Sequence, residues 1–309
     1  NHNMAIGVSA LGGPVNGGEY NVAVGSYSLD ALTTGDQSVA IGYEAGSDTT
    51  TGRILAAGYR AAKGNTTGGG IIALGDSAYL AADTENYNLA IGQESMGGSV
   101  AGGEYNTAVG HFTLDALTSA DKCTAVGYTA GSGITTGYHN TLIGHEAGLT
   151  MSTSVENTVV GSLAGKLMTT GNGANVLVGY NCGASITTGV ENIHIGAYAG
   201  DGYDTESHNL SIGRSALGGS VAGGEYNVAV GNYTLDALTS ADFCTVVGYE
   251  AGSAVTTGLK ATLVGYGAGK VQTTAQNTTL VGYNAGVANT AHECTAFGSE
   301  SALANTSGS

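Results

Sequence analysis

The chain has 309 residues, of which 54 are Gly, one is Pro and 10 % are charged. That much glycine excludes a helical protein, where each interior Gly costs ~1 kcal/mol against Ala; the single Pro excludes collagen, and 42 % hydrophobic residues exclude a disordered chain. Eight Lys and Arg against 24 Asp and Glu give a formal charge of −16, which argues against nucleic acid and anionic membrane as partners, and no apolar run is long enough to insert into a bilayer.

From the N-terminus onward, the pattern Asn-x-Ala-(Val/Ile)-Gly recurs along the whole chain. Its anchor glycines are Gly7, Gly25, Gly42, Gly58, Gly75, Gly92, Gly110, Gly127, Gly144, Gly161, Gly179, Gly196, Gly213, Gly231, Gly248, Gly265, Gly282 and Gly298, spaced 16 to 18 residues apart with a mean of 17.1. The residue before the anchor is Ile or Val in 15 of 18 cases, and the second before it is Ala in 10. The fourth before it is Asn in 10: Asn3, Asn21, Asn88, Asn106, Asn140, Asn157, Asn175, Asn192, Asn209 and Asn227. Alternate residues of a strand share a face. The spacing therefore predicts one short strand per repeat, with the Val/Ile pair facing the coil interior and the Asn/Ala pair facing the other way. The Asn side chains are expected to hydrogen-bond to one another as a ladder.

Past each anchor, Ala, Ser or Thr at the third position and Gly or Leu at the fourth predict a second short strand or turn. A Thr-Thr-Gly segment (33–35, 50–52, 66–68, 135–137, 169–171, 187–189, 256–258) then reads as a polar turn. Such a coil is too small for a propeller blade and lacks the helix of ankyrin or leucine-rich repeats. An all-β parallel β-solenoid, or β-roll, of about 18 coils of ~17 residues fits the period, as a single domain over 1–309 and, at ~4.8 Å per coil, a rod roughly 85 Å long. Tyr follows the anchor in seven coils (Tyr43, Tyr59, Tyr128, Tyr180, Tyr249, Tyr266, Tyr283), which predicts partial aromatic stacks. A small apolar second face and so few charges call for packing against other copies of the chain, with threefold symmetry the leading arrangement.

The segments Asn-Val-Ala-Val-Gly (21–25, 227–231), Ser-Val-Ala-Ile-Gly (38–42) and Asn-Thr-Ala-Val-Gly (106–110) resemble the repeats of YadA-like heads. The Thr-Thr-Gly and Gly-Tyr-Glu-Ala-Gly segments (42–46, 248–252) are closer still to the repeats of virus and phage tail fibres. The resemblance covers essentially the whole chain. It implies a left-handed roll, a homotrimer, and a structural or adhesive fibre on a virion surface, in contact with other tail proteins and a host glycan or protein receptor. The alternative it implies is a bacterial trimeric autotransporter-type adhesin on the cell surface, from whose shorter coil this spacing departs. Asn3 already stands in the Asn slot and 303–309 stop within a turn, so both ends are expected to continue into further sequence.

Three blocks stand out within the repeat. Gly-Gly-Glu-Tyr-Asn occurs at 17–21, 102–106 and 223–227, followed each time by Leu-Asp-Ala-Leu (29–32, 114–117, 235–238). Carboxylates beside aromatic rings suit sugar binding. The candidate surface-binding residues are therefore Glu19, Tyr20 and Asp30, with Tyr27; Glu104, Tyr105 and Asp115; and Glu225, Tyr226 and Asp236. Duplication of one coil block with a wider turn accounts for the same pattern. Asp201, Asp204 and Glu206 form the densest acidic cluster and are the candidates for a cation site, although a calcium-loop ligand pattern is missing.

His194 replaces Ala in its strand and is expected to pack there. Cys123, Cys244 and Cys294 share the Asn slot at least three coils, ~14 Å, apart, beyond disulfide reach. With Cys182 they are expected as free thiols. No metalloprotease or serine-hydrolase motif is present, so neither an enzyme nor a cofactor is expected. Ordered Thr-Thr-Gly turns raise an ice-binding face as a remote alternative, interrupted at Asp83-Thr84-Glu85 and Ser119-Ala120-Asp121.

Overall fold

The computed structural model describes residues 2–171, 173–219, 223–274 and 276–305. It is all-β, and among the described residues there is no helix. The chain divides into two units, Asn1–Val155 and Glu156–Ser309. The first holds β1 (Met4–Ile6), β2 (Val22–Val24), β3 (Val39–Ile41), β4 (Ile54–Ala57), β5 (Ile71–Leu74), β6 (Leu89–Ile91), β7 (Thr107–Val109), β8 (Thr124–Val126) and β9 (Thr141–Ile143). The second holds β10 (Thr158–Val160), β11 (Val176–Val178), β12 (Ile193–Ile195), β13 (Leu210–Ile212), β14 (Val228–Val230), β15 (Thr245–Val247), β16 (Thr262–Val264), β17 (Thr279–Val281) and β18 (Thr295–Phe297).

Every strand ends one residue before an anchor glycine, and within each unit successive strands pair in parallel, slot for slot. Ala5 lies opposite Ala23, Ala108 opposite Ala125 and Leu263 opposite Leu280. Each unit is thus a parallel β-solenoid of about 17-residue turns. The anchor is glycine because the next coil leaves no room for a side chain. At Gly127 φ is +138° and a Cβ would stand 2.4 Å from the Gly144 carbonyl oxygen.

The two strand faces are the reverse of the expectation. In β2 to β18 the residue two before the anchor is buried, while the Val, Ile, Leu or Thr on either side of it is half-buried or exposed. Val22 and Val24 flank the fully buried Ala23, and Ile193 and Ile195 flank the fully buried His194. The interior is therefore lined by the Asn/Ala face, and the β-branched face points outward. The cause is space, because a 17-residue coil is thin and its far wall supplies bulk. Leu29 and Leu32, Leu114 and Leu117, and Leu235 and Leu238 are all fully buried there.

That shared space couples two slots. Wherever the strand carries Leu, Val or His at its centre (Leu142, Val159, Leu177, His194, Val246, Leu263, Leu280), the fourth residue after that coil's anchor is Gly. Where the centre is Ala, the same position holds Leu11, Leu29, Ala62, Tyr79, Met96, Leu114, Leu235 or Ala302, with Gly46 and Gly131 the exceptions. Backbone geometry does not explain the choice, since Leu29 (φ 47°) and Gly183 (φ 56°) are both left-handed. Volume does: a Cβ at Gly183 would lie 2.9 Å from Leu177 Cδ2, and one at Gly286 would lie 2.5 Å from Leu280 Cδ1. At the two exceptions the gap is filled from neighbouring coils, by Ile54 and Leu29 beside Gly46 and by Leu142 and Leu114 beside Gly131.

Among the described residues a second strand does not form. Tyr27 (φ 61°) and Leu29 (φ 47°) take left-handed conformations two and four residues after the anchor, and the same slots do so in other coils. An extended stretch cannot pass through two such corners. The turns are nonetheless bonded coil to coil, as in Tyr27 N–H to Val8 O (2.8 Å), Ala31 N–H to Ser47 O (3.0 Å) and Thr33 N–H to Thr50 O (2.9 Å). The leading Thr of Thr-Thr-Gly adds its hydroxyl to this set, from Thr33 to Thr50 O (3.0 Å) and from Thr256 to Thr273 O (3.2 Å).

The Asn ladder bonds chiefly to backbone rather than to its own side chains. Asn192, Asn209, Asn227 and Cys244 each donate a backbone N–H to the Oδ1 of the Asn one coil before, at 2.9–3.0 Å. The amide nitrogens meanwhile donate to the following turn, from Asn192 to Glu206 O (2.8 Å) and from Asn227 to Ala241 O (2.8 Å). A side chain-to-side chain bond is present as well, Asn175 Nδ2 to Asn157 Oδ1 (3.1 Å). The four cysteines are buried free thiols. Cys123 and Cys244 take the place of the amide nitrogen, with Sγ 3.3 Å from Gly137 O and 3.4 Å from Gly258 O.

Candidate binding grooves

The anchor turn sends the residue after each glycine outward, and the tyrosines placed there stack from coil to coil. Tyr43 lies on Tyr59 (5.6 Å between centroids, 11° between planes), and Tyr249, Tyr266 and Tyr283 form a three-ring column. Tyr27 closes the first stack edge-on to Tyr43 (6.0 Å, 83°), and Tyr233 closes the second in the same way against Tyr249 (6.0 Å, 82°).

Beside each stack is an open groove, one in each unit. The first is lined by Tyr27, Asp30, Glu44, Ser47, Asp48 and Lys63, with a volume of about 190 Å³. The second is lined by Tyr233, Asp236, Tyr249, Glu250, Ser253 and Lys270, with a volume of about 430 Å³. They share a five-residue set, while Asp48 and Arg60 of the first groove are replaced by Ala254 and Gly267 in the same slots of the second. Tyr and Asp come from one coil, Glu and Ser from the next, and Lys from the one after, each in the same slot.

Glu44 is gripped by Arg60 (3.0 Å) and Lys63, and Glu250 by Lys270. These hydrogen bonds from lysine hold both glutamates below the usual carboxylate range. Partial burial pushes Asp30 and Asp236 the other way, and at Asp30 the Asp48 charge adds to the rise. The Tyr43 and Tyr249 phenols are raised by the adjacent Glu44 and Glu250. Each groove therefore offers an unpaired aspartate, a neutralised Glu–Lys pair, a serine and an aromatic wall.

The residues expected from each long block do not form one site, because the block's strand lies between its two halves. Glu19 and Tyr20 precede β2, whereas Tyr27 and Asp30 follow it. The first half is tied to the next coil through Glu19 N–H to Asp36 Oδ1 (2.7 Å), Glu104 N–H to Asp121 Oδ1 (2.8 Å) and Glu225 N–H to Asp242 Oδ1 (2.8 Å). Its tyrosines join exposed stacks: Tyr20 on His2 (4.9 Å), Tyr105 on Tyr87 (5.2 Å), and Tyr226 between His208 (4.8 Å) and Phe243 (5.3 Å). Asp30 and Asp236 belong to the grooves. In the middle block Asp115 stands with Phe112, Tyr128 and Ser132, but Thr129 and Leu149 occupy the Glu and Lys slots.

In the acidic cluster, Glu206 is buried and committed to backbone. It accepts from the N–H groups of Asp204 (2.9 Å), Thr205 (3.1 Å) and Gly223 (2.8 Å). Glu85 does the same for Asp83, Thr84 and Gly102. Asp204 accepts from the Thr187 hydroxyl, and partial burial raises Asp201. Glu206 thus closes a turn, and its oxygens are occupied without a cation.

Glu44, Ser47 and Lys63 and their second-unit counterparts are the groove residues that reading the blocks alone overlooks. The available signal was slot identity: Glu second after one anchor and Lys fifth after the next, found together with Tyr and Asp in the preceding coil. Comparison with protein-family models, curated proteins and solved structures finds no match to this chain.

Proposed function

We propose that the chain is a length of homotrimeric, left-handed β-roll in the shaft of a virion tail fibre, extending or presenting a host-binding tip. The observation that supports this reading best is the outward strand face. Ile41 is 47 % exposed, Ile143 40 %, Ile193 41 % and Ile212 38 %, and Val, Ile, Leu or Thr fills these positions in every coil but for Met4, Ala57 and Phe297. An apolar face of this extent marks an interaction site. Its cover must present apolar side chains at the same ~4.8 Å pitch, and a second copy of the chain carries that pitch on the identical face. Threefold packing and left-handed coiling follow the resemblance to YadA-like heads and tail-fibre repeats. The 16–18-residue spacing favours the tail fibre over the shorter coil of a bacterial adhesin.

Light scattering of the purified chain is expected to return three times 30.4 kDa; a monomer mass overturns the shaft reading. An antibody against the chain should label virions. Labelling of bacterial envelopes instead selects the adhesin.

A further inference from the structure

We propose that the two grooves are twin carbohydrate subsites, each taking a neutral hexose of an oligosaccharide. The first argument is repetition. Tyr27, Asp30, Glu44, Ser47 and Lys63 in one unit recur as Tyr233, Asp236, Glu250, Ser253 and Lys270 in the other, around the same edge-on tyrosine pair. Fold maintenance does not demand this set, because the middle block builds its coils with Thr129 and Leu149 in the Glu and Lys slots.

The second argument is the chemistry offered. Tyr59 stacks on Tyr43, and Tyr27 makes a T-shaped contact with Tyr43. The Tyr27 ring stands nearly perpendicular to Tyr43 and lines the groove. An electron-rich ring face suits the polarised C–H face of a pyranose. Asp30 and Asp236 are acceptors with no cation bonded to them among the groove residues; the serine hydroxyls, which donate to Asp48 in the first groove (3.0 Å) and to Lys270 O in the second (3.3 Å), keep acceptor lone pairs, and the lysine ammonium adds donors near the rim. The Glu–Lys pair cancels its own charge and leaves the lip acceptor-rich, which matches a ligand bearing several hydroxyl donors. An anionic sugar meets the free aspartate and a chain of net charge −16, so it is disfavoured.

The site stands apart from the outward Val/Ile face, so it is independent of the shaft reading. The test is calorimetric titration of the full chain with cellohexaose, maltohexaose and chitohexaose, and with a polysialic acid fragment of equal length. At least one neutral hexaose is expected to bind with two sites per chain, and the polysialic fragment with none. Tyr27→Ala with Asp30→Asn should leave one site, Tyr233→Ala with Asp236→Asn the other, and the four substitutions together none. These residues lie on the surface or half-buried, and far-UV circular dichroism on each variant checks that the coils persist.

Failure of all three neutral hexaoses, preference for the polysialic fragment, or undiminished binding in the fourfold variant each overturns the proposal. Mass measured on the same samples reads the trimer separately. A monomer binding two hexaoses keeps the grooves and loses the shaft, and a trimer binding none does the reverse.

Discussion

His194 shows how one residue can depart from the repeat and still satisfy it. It fills the strand's central slot, where most coils have Ala, and it is fully buried. Its Nδ1 is 2.8 Å from Ser211 Oγ in the same slot of the next coil, while Nε2 and the buried Tyr203 hydroxyl beside it have no hydrogen-bond partner. Space for the ring exists because Gly200 follows, where a Cβ would lie 2.5 Å from the imidazole. Burial pushes the His194 pKa down to about 3. The unfolded chain therefore takes up a proton near pH ~6.5 that the folded chain refuses, and stability falls by ~1.4 kcal/mol per pH unit below that value. Asp30, Asp115, Asp201 and Asp236 are raised by burial and act with the opposite sign, but only nearer the carboxylate range. Urea unfolding at pH 7 and pH 5 should thus show a loss of about 2 kcal/mol that disappears in His194→Ala. An unchanged slope in that variant would assign the acid sensitivity elsewhere. The sequence placed His194 in the strand and packed in the Ala slot; that this slot lies in the core, and the neutral state that follows, come only from the closed wall around it.

Between residues and the whole lies the coil, and two of its features make quantitative predictions. The Asn relay gives buried N–H groups their acceptors, so Asn192→Ala leaves the Asn209 N–H and the Glu206 carbonyl without those partners. A cost of about 1–3 kcal/mol is expected in denaturant unfolding. Asn192→Asp, which keeps the acceptor, should recover part of it. The volume coupling makes a sharper case. Gly183→Leu overpacks against Leu177 and should cost about 1–3 kcal/mol. Leu177→Ala alone opens a cavity at about 2–5 kcal/mol, and the double variant recreates the Ala/Leu pairing of Ala23 with Leu29. Its stability should exceed the sum of the single losses by more than 1 kcal/mol; additive losses would show that the two slots do not share space. Both partners of this coupling are plain in the sequence, yet the coupling has no meaning until the coil is closed and the two positions face each other.

On the scale of the molecule, the outward apolar face is the feature with consequences for assembly. Lysine at Val109, Val126 and Ile143, three adjacent outward positions ending β7, β8 and β9, should convert the proposed trimer to monomers in light scattering with the far-UV spectrum unchanged. The buried partners Ala108, Ala125 and Leu142 are untouched by these changes. Loss of the β spectrum along with the mass change would mean that the face serves the coil itself. The grooves sit on another part of the same turns, so the proposed assembly and the proposed ligand binding are separable by mutation.

The sequence by itself determined the period, the position of all 18 strands before their glycines and the place of the Asn slot, because each depends on local residue type repeated at a constant interval. It left open which strand face lies inside. Alternation separates two sets of side chains without saying which is enclosed, and the larger, more apolar set is the natural guess. The tertiary structure decided against that guess: a 17-residue coil encloses little volume, the Leu residues of the far wall occupy it in many coils, and a strand centre larger than Ala or Ser fits only where glycine stands opposite. The grooves were likewise invisible along the chain. Their residues come from three successive coils, and only stacking brings them to one edge.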